Sequence, residues 1–373
     1  MSMEEAFALA EAEAKLKAAL NECQARFDKA KMPDRRNEDW RFGRPHVYAK
    51  QLVDTITARD NHNYFERMVI CDKGNAATRL TRDDDDLLQT EMLMQTIGSD
   101  ALLKRHIERF EDGYSLYIEE DTTEVIELVY ETRSFCSPST FIMVAPGVKA
   151  EVHIIYSCLE IGNIFAACNI QVAAGAELKV RVQAESDGSD GRCMIITNIQ
   201  NMGGKVMHLT EYRGLRWARE ETVAELYSPG SETKLFSANR LVGDSVLDQH
   251  TRQIHHVGGA SSDLLYKNVV DDNATAIFAG NIYVAPGAHN TDAYQSNRNM
   301  LLSEKATVHS LPGLEILADK VRCSHGSASA PMDDEQLFYL CSRGISRRDA
   351  QLLVADGFLA DVLNKFHGES QSS

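Results

Sequence analysis

Polar and apolar residues alternate along the middle of the chain in the pattern of strands that bury one face. After Gly175, the apolar residues Leu178, Val180 and Val182 alternate with lysine, arginine and glutamine. A period of two places these apolar side chains on one side of an extended chain. The same alternation follows Gly147, so the pattern predicts strands in this region and not helices.

These strands recur at a nearly constant interval, because glycines at turn-like positions mark a repeat. Successive marker glycines differ in residue number by 26 to 29, an interval typical of stacked architectures. Each repeat holds two extended runs with a polar turn between them. A coil that returns to its start and then advances by one layer is a parallel β-helix, which we predict over residues 130–318. The marker glycines are Gly147, Gly175, Gly203, Gly230, Gly258, Gly287 and Gly313.

The alternation weakens after Gly230, where serine, threonine, asparagine and aspartate fill many of the apolar offsets. Buried polar groups need hydrogen-bond partners. These later coils therefore either pack polar groups against one another internally or face a partner molecule.

The beginning of the chain has the period of a helix. Leu16, Leu20, Cys23 and Phe27 recur at intervals of three and four residues, which makes one apolar stripe. A polar connector around Trp40 follows, and short mixed patterns continue beyond it. We therefore predict an N-terminal region of helical and mixed structure over residues 1–129.

The end of the chain also predicts helices. Acidic residues at 333–335 favour a helix start, and Gly344 is placed to end that helix. Ser346 and Asp349 form the pattern of a capping box ahead of a second helix. We predict a C-terminal helical region over residues 319–373. Its apolar surface must dock on the β-helix, on another protein or on both.

Charge and hydropathy exclude two classes of partner. The chain has 55 acidic and 39 basic residues among 373, a formal net charge of −16. That balance opposes non-specific phosphate binding, which needs a basic surface, so nucleic acid is not expected as a partner. No apolar run approaches the roughly 18 residues of a membrane span, and the acidic first residues differ from a signal peptide. We expect a cytoplasmic protein that does not bind a membrane.

The sequence lacks the common catalytic and phosphate-binding motifs. It contains no G-x-x-x-x-G-K-[ST], no G-x-S-x-G and no H-E-x-x-H, so the reactions that those motifs support are not indicated. Its eight cysteines are scattered, without any C-x-x-C, so paired zinc ligands are not indicated either. We expect free, mostly buried thiols in a reducing compartment.

One short stretch, VRCSHGS at residues 321–327, places a cysteine and a histidine two residues apart. In an extended chain, Cys323 and His325 point to the same face, about 7 Å apart. They supply two ligands at most, and the sequence shows no second half of a site. The pair is therefore either inert or half of a metal site that another subunit completes.

Two long stretches, residues 260–284 and 311–345, resemble the SufD branch of the SufB/SufD family of the Suf iron–sulfur cluster assembly system. The second stretch contains LEI, CSHG and LFYLCSRGI, and residues 35–43, RRNEDWRFG, resemble the N-terminal segment of that family. The resemblance implies a mainly β protein, a right-handed parallel β-helix with N-terminal and C-terminal helical regions.

The resemblance also implies a non-catalytic scaffold subunit. Such a subunit pairs through its β-helix with a SufB-like paralogue, or with a second copy of itself. It binds a SufC-like ATPase through its C-terminal helices and receives sulfur indirectly from a cysteine desulfurase system. A transient iron–sulfur cluster, or iron, forms at the subunit interface, and reduced flavin is compatible with the complex.

The resemblance assigns His325 as a ligand at that interface, with Cys323 as a weaker candidate. Glu315 is a candidate hydrogen-bond partner for the histidine ring. The position of a SufB cysteine is held by Ala306 in this chain, so thiolate ligands are expected mainly from the partner. The ATPase dock is expected on the helix at 333–342 and the turn after it, with these residues: Phe338, Tyr339, Ser342, Arg343, Gly344 and Ile345.

Two other functions fit a β-helix. One is a polysaccharide-active enzyme, with Asp271 and Asp272 as acids or calcium ligands. The other is a β-helix scaffold unrelated to iron–sulfur chemistry, in which Cys323 and His325 have no role.

Overall fold

A computed structural model describes residues 3–32, 38–40, 67–71, 77–81, 93–109, 112–187 and 190–368 of the chain. From Ile126 onward the chain alternates between two sheets that enclose one lumen. We call these sheet 1 and sheet 2. Neighbouring strands within each sheet run parallel, apart from one antiparallel pair at the N-terminal end of each sheet.

In spatial order, sheet 1 consists of β1 (Arg67–Cys71), β4 (Ile126–Thr132), β7 (Lys149–Cys158), β9 (Glu177–Ser186), β11 (Lys205–Arg213), β13 (Glu232–Leu241), β15 (Ser261–Val270), β17 (Asp292–Leu301) and β19 (Arg322–Pro331). Sheet 2 consists of β18 (Thr307–Ile316), β16 (Thr275–Val284), β14 (Val246–His255), β12 (Trp217–Leu226), β10 (Arg192–Asn201), β8 (Asn163–Val172), β6 (Ser139–Val144), β3 (Asp112–Ile118) and β2 (Ala77–Thr81), and β5 (Phe135–Cys136) pairs with β8.

This arrangement confirms the predicted parallel β-helix. The alternating apolar residues of the early coils line the lumen: Ala150, Leu178 and Val206 lie in register on adjacent strands and are buried. Burial of these stacked rows is the main stabilising contribution of the early coils.

The described strands extend beyond both ends of the predicted 130–318 core. β3 begins at Asp112, and β19 ends at Pro331, inside the region predicted to be helical. β19 consists largely of serine, alanine and glycine, so it lacks the large apolar residues that make alternation visible in a sequence.

The repeat glycines lie at turns, with two deviations. Gly259, and not Gly258, has the left-handed backbone of its turn, with φ of 71°. At Gly258 a Cβ atom would lie 2.0 Å from the carbonyl oxygen of His289, so close backbone approach explains this glycine. Gly313 lies inside β18, opposite Asn281 of β16, and its assignment as a turn glycine was wrong.

Within the described residues, the N-terminal helices α1 (Met3–Lys29) and α2 (Asp100–Arg109) pack on the outer face of sheet 2. Phe27 of the predicted α1 stripe is buried against Leu102 and Leu103. A short 3-10 helix (Glu38–Trp40) buries Trp40 in the same cluster.

The C-terminal helices are α3 (Asp334–Ser342) and α4 (Arg347–His367). Ser346 caps α4 by accepting a hydrogen bond from the Asp349 backbone N–H, as the capping pattern predicted. The buried side chains Val362 and Phe366 of α4 pack against Phe236 on the outer face of sheet 1. The helical pair therefore docks on the β-helix. No helix in the described parts of the chain is long and apolar enough to cross a bilayer.

Candidate functional site

The C-terminal end of the β-helix is uncovered. Among the described strands, β18 pairs only with β16 and β19 only with β17, so each sheet ends in a strand with one unpaired edge. Leu314 and Ile316 of β18 are 37% and 38% exposed, although their partners one coil earlier, Ile282 and Val284, are fully buried. The lumen is therefore open at this end.

Cys323 and His325 lie on β19 at this open end. Their partners on β17 are Ala293 and Gln295, which are both buried in the lumen. Because alternate residues of a strand share a face, the two side chains project together over the open lumen. The structure thus places the predicted pair on one face.

The two side chains differ in their surroundings. Cys323 is half-buried and packs against the apolar cluster of Ile282, Val284 and Ala293. Burial raises the pKa of its thiol, and the negative charge of Asp292 raises it further. His325 is exposed. The imidazole is the more available metal ligand of the two, because the cysteine must first lose a firmly held proton.

The described residues contain no group of three or more histidine, cysteine or acidic side chains arranged to hold a metal. A closed tetrahedral site needs about four ligands, and Cys323 with His325 supply two. The pair by itself therefore falls two ligands short of such a site.

Glu315 does not lie where the sequence suggested. Ser310 of β18 faces the lumen, because its hydroxyl donates to Asn297 and lies 2.8 Å from the hydroxyl of Ser327 on β19. Glu315 is an odd number of residues away on the same strand, so it faces outward. The lumen neighbours of His325 are instead the neutral groups Gln295 and Ser327.

The later coils pack polar groups internally, which decides between the two explanations for their weak alternation. Side-chain amides of Asn239, Asn268 and Asn299 are linked by hydrogen bonds of 2.8 and 3.0 Å, and Asn299 donates to Ser329 of β19. Such ladders satisfy polar side chains without water. This polar row continues onto β19 at the open end.

The predicted dock forms an exposed surface on α3. Phe338 is 76% exposed and Tyr339 is 57% exposed, and the Arg343 guanidinium lies 5.2 Å from the Tyr339 ring centre. Ile345 differs, because it is partly buried against the cluster that holds α3 and α4 together. The Ser342 hydroxyl donates to the Tyr339 carbonyl, and Gly344 turns the chain with φ of 88°. Ser342, Gly344 and Ile345 therefore shape the turn that follows α3.

Asp271 and Asp272 have structural roles in a turn. The Asp272 carboxylate accepts the Gly243 backbone N–H at 2.9 Å, and the Asp271 carboxylate accepts the Asp272 backbone N–H. Both therefore stabilise the corner of a coil.

A buried ionic cluster, which no sequence motif predicted, lies on the outer face of sheet 2. The fully buried Arg219 donates to the carboxylates of Glu221 at 2.6 Å and of Asp248 at 2.7 Å. Its guanidinium stacks on Trp40, 3.9 Å from the ring centre. Trp40 belongs to the RRNEDWRFG segment, so this contact explains why the segment carries a tryptophan.

Comparison with known proteins yields a family match. The family described as "SUF system FeS cluster assembly, SufBD core domain" matches residues 129–358, more than half of the chain. These residues include the strands from β7 to β19 together with α3.

Several curated relatives agree with this match. The iron–sulfur cluster assembly protein SufD of Escherichia coli is 38% identical over 151 residues, which are 40% of this chain and 36% of that protein. A SufBD family protein of Synechocystis is 31% identical over 213 residues, 55% of this chain and 44% of that protein. SufD of Bacillus subtilis is 38% identical over 148 residues, 39% of this chain and 33% of that protein. The chain spans less than half the length of each of these relatives.

Proposed function

The chain belongs to the SufBD core family of the SUF iron–sulfur cluster assembly system, and we propose that it is a SufD-like, non-catalytic scaffold subunit of a cytoplasmic assembly complex. Relatives that are themselves named SufD share 38% identity with it. That identity supports the SufD-like role.

The open end of the β-helix is the observation that carries the proposal. Leu314 and Ile316 are exposed at positions whose equivalents one coil earlier are buried. Exposed apolar side chains beside unpaired strand edges favour pairing with another chain. We assign this end to a SufB-like paralogue, whose own β-helix would continue both sheets.

His325 would then lie inside the subunit interface. A neutral imidazole is a good ligand for iron, and the nascent iron–sulfur cluster is the cargo built there. Cys323 is the weaker candidate, because its thiol is half-buried with a raised pKa. The partner subunit would supply the remaining ligands. A cysteine desulfurase system would supply the sulfur.

The exposed aromatic pair on α3 would bind a SufC-like ATPase. Phe338 and Tyr339 present a large apolar area next to the cation of Arg343. Aromatic and arginine side chains are the usual anchors of protein interfaces. α4, which is packed on sheet 1, would then transmit the ATP-driven movement of the ATPase to the open end.

The test is co-expression of this chain with a SufB-like and a SufC-like protein, followed by mass measurement of the purified complex. We expect one copy of the chain per SufB-like subunit. Leu314→Arg should abolish this pairing, because it places a charge in the interface. The control Ile161→Arg changes an exposed residue of an early coil and should pair normally. Pairing that survives Leu314→Arg, or a stable homodimer in place of the heterodimer, would contradict the proposal.

A further inference from the structure

A cavity of about 360 Å³ lies on the outer face of sheet 2. Strands β14, β16 and β18 form its floor, and the segment that ends in Gly98 forms a side wall together with Asp39. It is separate from Cys323 and His325, which belong to sheet 1 and face the lumen. The assignments above leave this cavity without a role.

The side wall is held in place by Arg219. Its guanidinium donates to the backbone carbonyls of Asp39 at 3.0 Å and Ile97 at 2.9 Å. The Ile97 backbone N–H in turn donates to Glu221 at 2.7 Å. The wall is therefore fixed by buried, charge-assisted hydrogen bonds, so the cavity is preformed.

A buried acid–histidine pair contributes to the floor. Asp248 accepts from Arg219 through one carboxylate oxygen and lies 2.8 Å from His250 Nε2 through the other. Although burial opposes ionisation, the charges of His250 and Arg219 hold the pKa of Asp248 below its ordinary value. The carboxylate therefore orients the imidazole with Nε2–H toward itself and leaves Nδ1 for another group.

The other ring nitrogen, Nδ1, has no partner among the described residues. His250 is 3% exposed and lines the cavity, and its Nδ1 has no hydrogen-bond partner in the described structure. A buried polar atom without a partner costs free energy that a bound group could recover. The same holds for Oδ1 of Asn281, which also lines the cavity.

Arg252 adds a cation at the cavity. It follows His250 by two residues on β14, so both lie on the outer face, and its neighbour on β16 is Asn281. The guanidinium is half-buried at the cavity, and no ion pair or hydrogen bond joins it to the part of the chain that the structure describes. Arginine at such a position is suited to bind a carboxylate or phosphate with two parallel hydrogen bonds.

We propose that this cavity binds a small organic molecule that carries an oxyanion, either a carboxylate or a phosphate. The oxyanion would pair with Arg252 and accept a hydrogen bond from Nδ1–H of a protonated His250, whose other N–H stays on Asp248. The carboxylate of Asp39 belongs to the opposite wall, so the oxyanion lies at the β14 side. The rest of the ligand would lie on the apolar side chains of Ile277 and Leu311, which also line the cavity.

The test uses phenyl phosphate and benzoate as probes and phenol as the neutral control, with binding measured by calorimetry on the full chain. At least one of the two oxyanions should bind saturably, and phenol should bind at least about tenfold more weakly because it lacks the charge. Arg252→Gln should weaken oxyanion binding by about tenfold or more. Arg298→Gln, which removes an exposed arginine of β17, is the matched control and should leave the affinity unchanged.

A second variant tests the cavity independently of charge. Ala279→Phe would fill the space from a half-buried position of the floor and should abolish binding of both probes at an unchanged melting temperature. Binding of one probe alone identifies the oxyanion as phosphate or carboxylate. The proposal is overturned by no saturable binding of either oxyanion, by equal binding of phenol, or by undiminished affinity of Arg252→Gln.

Discussion

The guanidinium of Arg219 lies 3.9 Å above the ring of Trp40, although the two residues are far apart in the sequence. Arg219 also neutralises the buried carboxylates of Glu221 and Asp248. This one side chain therefore joins the N-terminal segment to the outer face of the β-helix.

Removal of that cation should destabilise the protein strongly. In Arg219→Gln, Glu221 would remain buried without its counter-charge, and Asp248 would keep only His250. We expect a loss of about 3–5 kcal/mol in the free energy of unfolding. Urea denaturation measures it. The control Arg216→Gln removes an exposed pair with Asp244 and should cost less than about 1 kcal/mol. Similar losses in both variants would refute a special role for Arg219.

His325 should be needed for cluster formation and not for assembly. In the complex with SufB-like and SufC-like proteins, His325→Ala should remove most of the iron and sulfide that wild type accumulates in anaerobic reconstitution, because a ligand is lost. Cys323→Ser should reduce loading less. Glu315→Gln is the matched control, since Glu315 lies on the outer face of β18 and should not affect loading. Equal loading of wild type and His325→Ala, with the complex intact, would show that the histidine is not a ligand.

The aromatic pair of α3 should control ATPase binding without affecting folding. The double variant Phe338→Ala with Tyr339→Ala should fail to co-purify with the SufC-like protein, since interface aromatics often contribute about 2 kcal/mol or more each. Its melting temperature should stay unchanged because both side chains are exposed. Ile345→Ala is the contrasting variant. It should lower the melting temperature, because Ile345 packs against the cluster between the helices. If the double variant binds the ATPase with wild-type affinity, the ATPase docks at another surface.

Acid should destabilise the β-helix through its buried histidines. Burial lowers the pKa of His208 to about 4 and, together with the charge of His256, lowers the pKa of His255 to about 4. Both groups bind protons more readily in the unfolded chain, whose histidines have a pKa of about 6.5. Stability is therefore fully present above about pH 6.5 and is lost as the pH falls toward 4.

For His208 the expected loss is roughly 2 kcal/mol between pH 7 and pH 5, which urea denaturation at the two pH values measures. His208→Leu should reduce the pH dependence by this amount, because it removes the titrating group from the apolar lumen. His367→Gln replaces an exposed histidine and should leave the pH dependence as in wild type. A His208→Leu variant with the full acid sensitivity would contradict the assignment.

Local patterns of the sequence were sufficient to predict the coils of the β-helix and the helix cap at Ser346. Alternation of apolar residues after Gly147 and Gly175 depends only on the two-residue period of a strand, and the capping of α4 by Ser346 spans a few residues. The common face of Cys323 and His325 follows from the same period. These features are local, so the order of residues along the chain determines them.

The tertiary structure decided everything that depends on which strands become neighbours. Arg219 meets Trp40 only because the N-terminal segment folds back on sheet 2, and the Asn239, Asn268 and Asn299 row forms only when successive coils stack in register. Buried and exposed side chains do not alternate along β19, because no further coil covers it. Sequence periodicity indicates which residues share a face, but the stacking of coils determines which faces are covered, and that depends on contacts between residues distant in the chain.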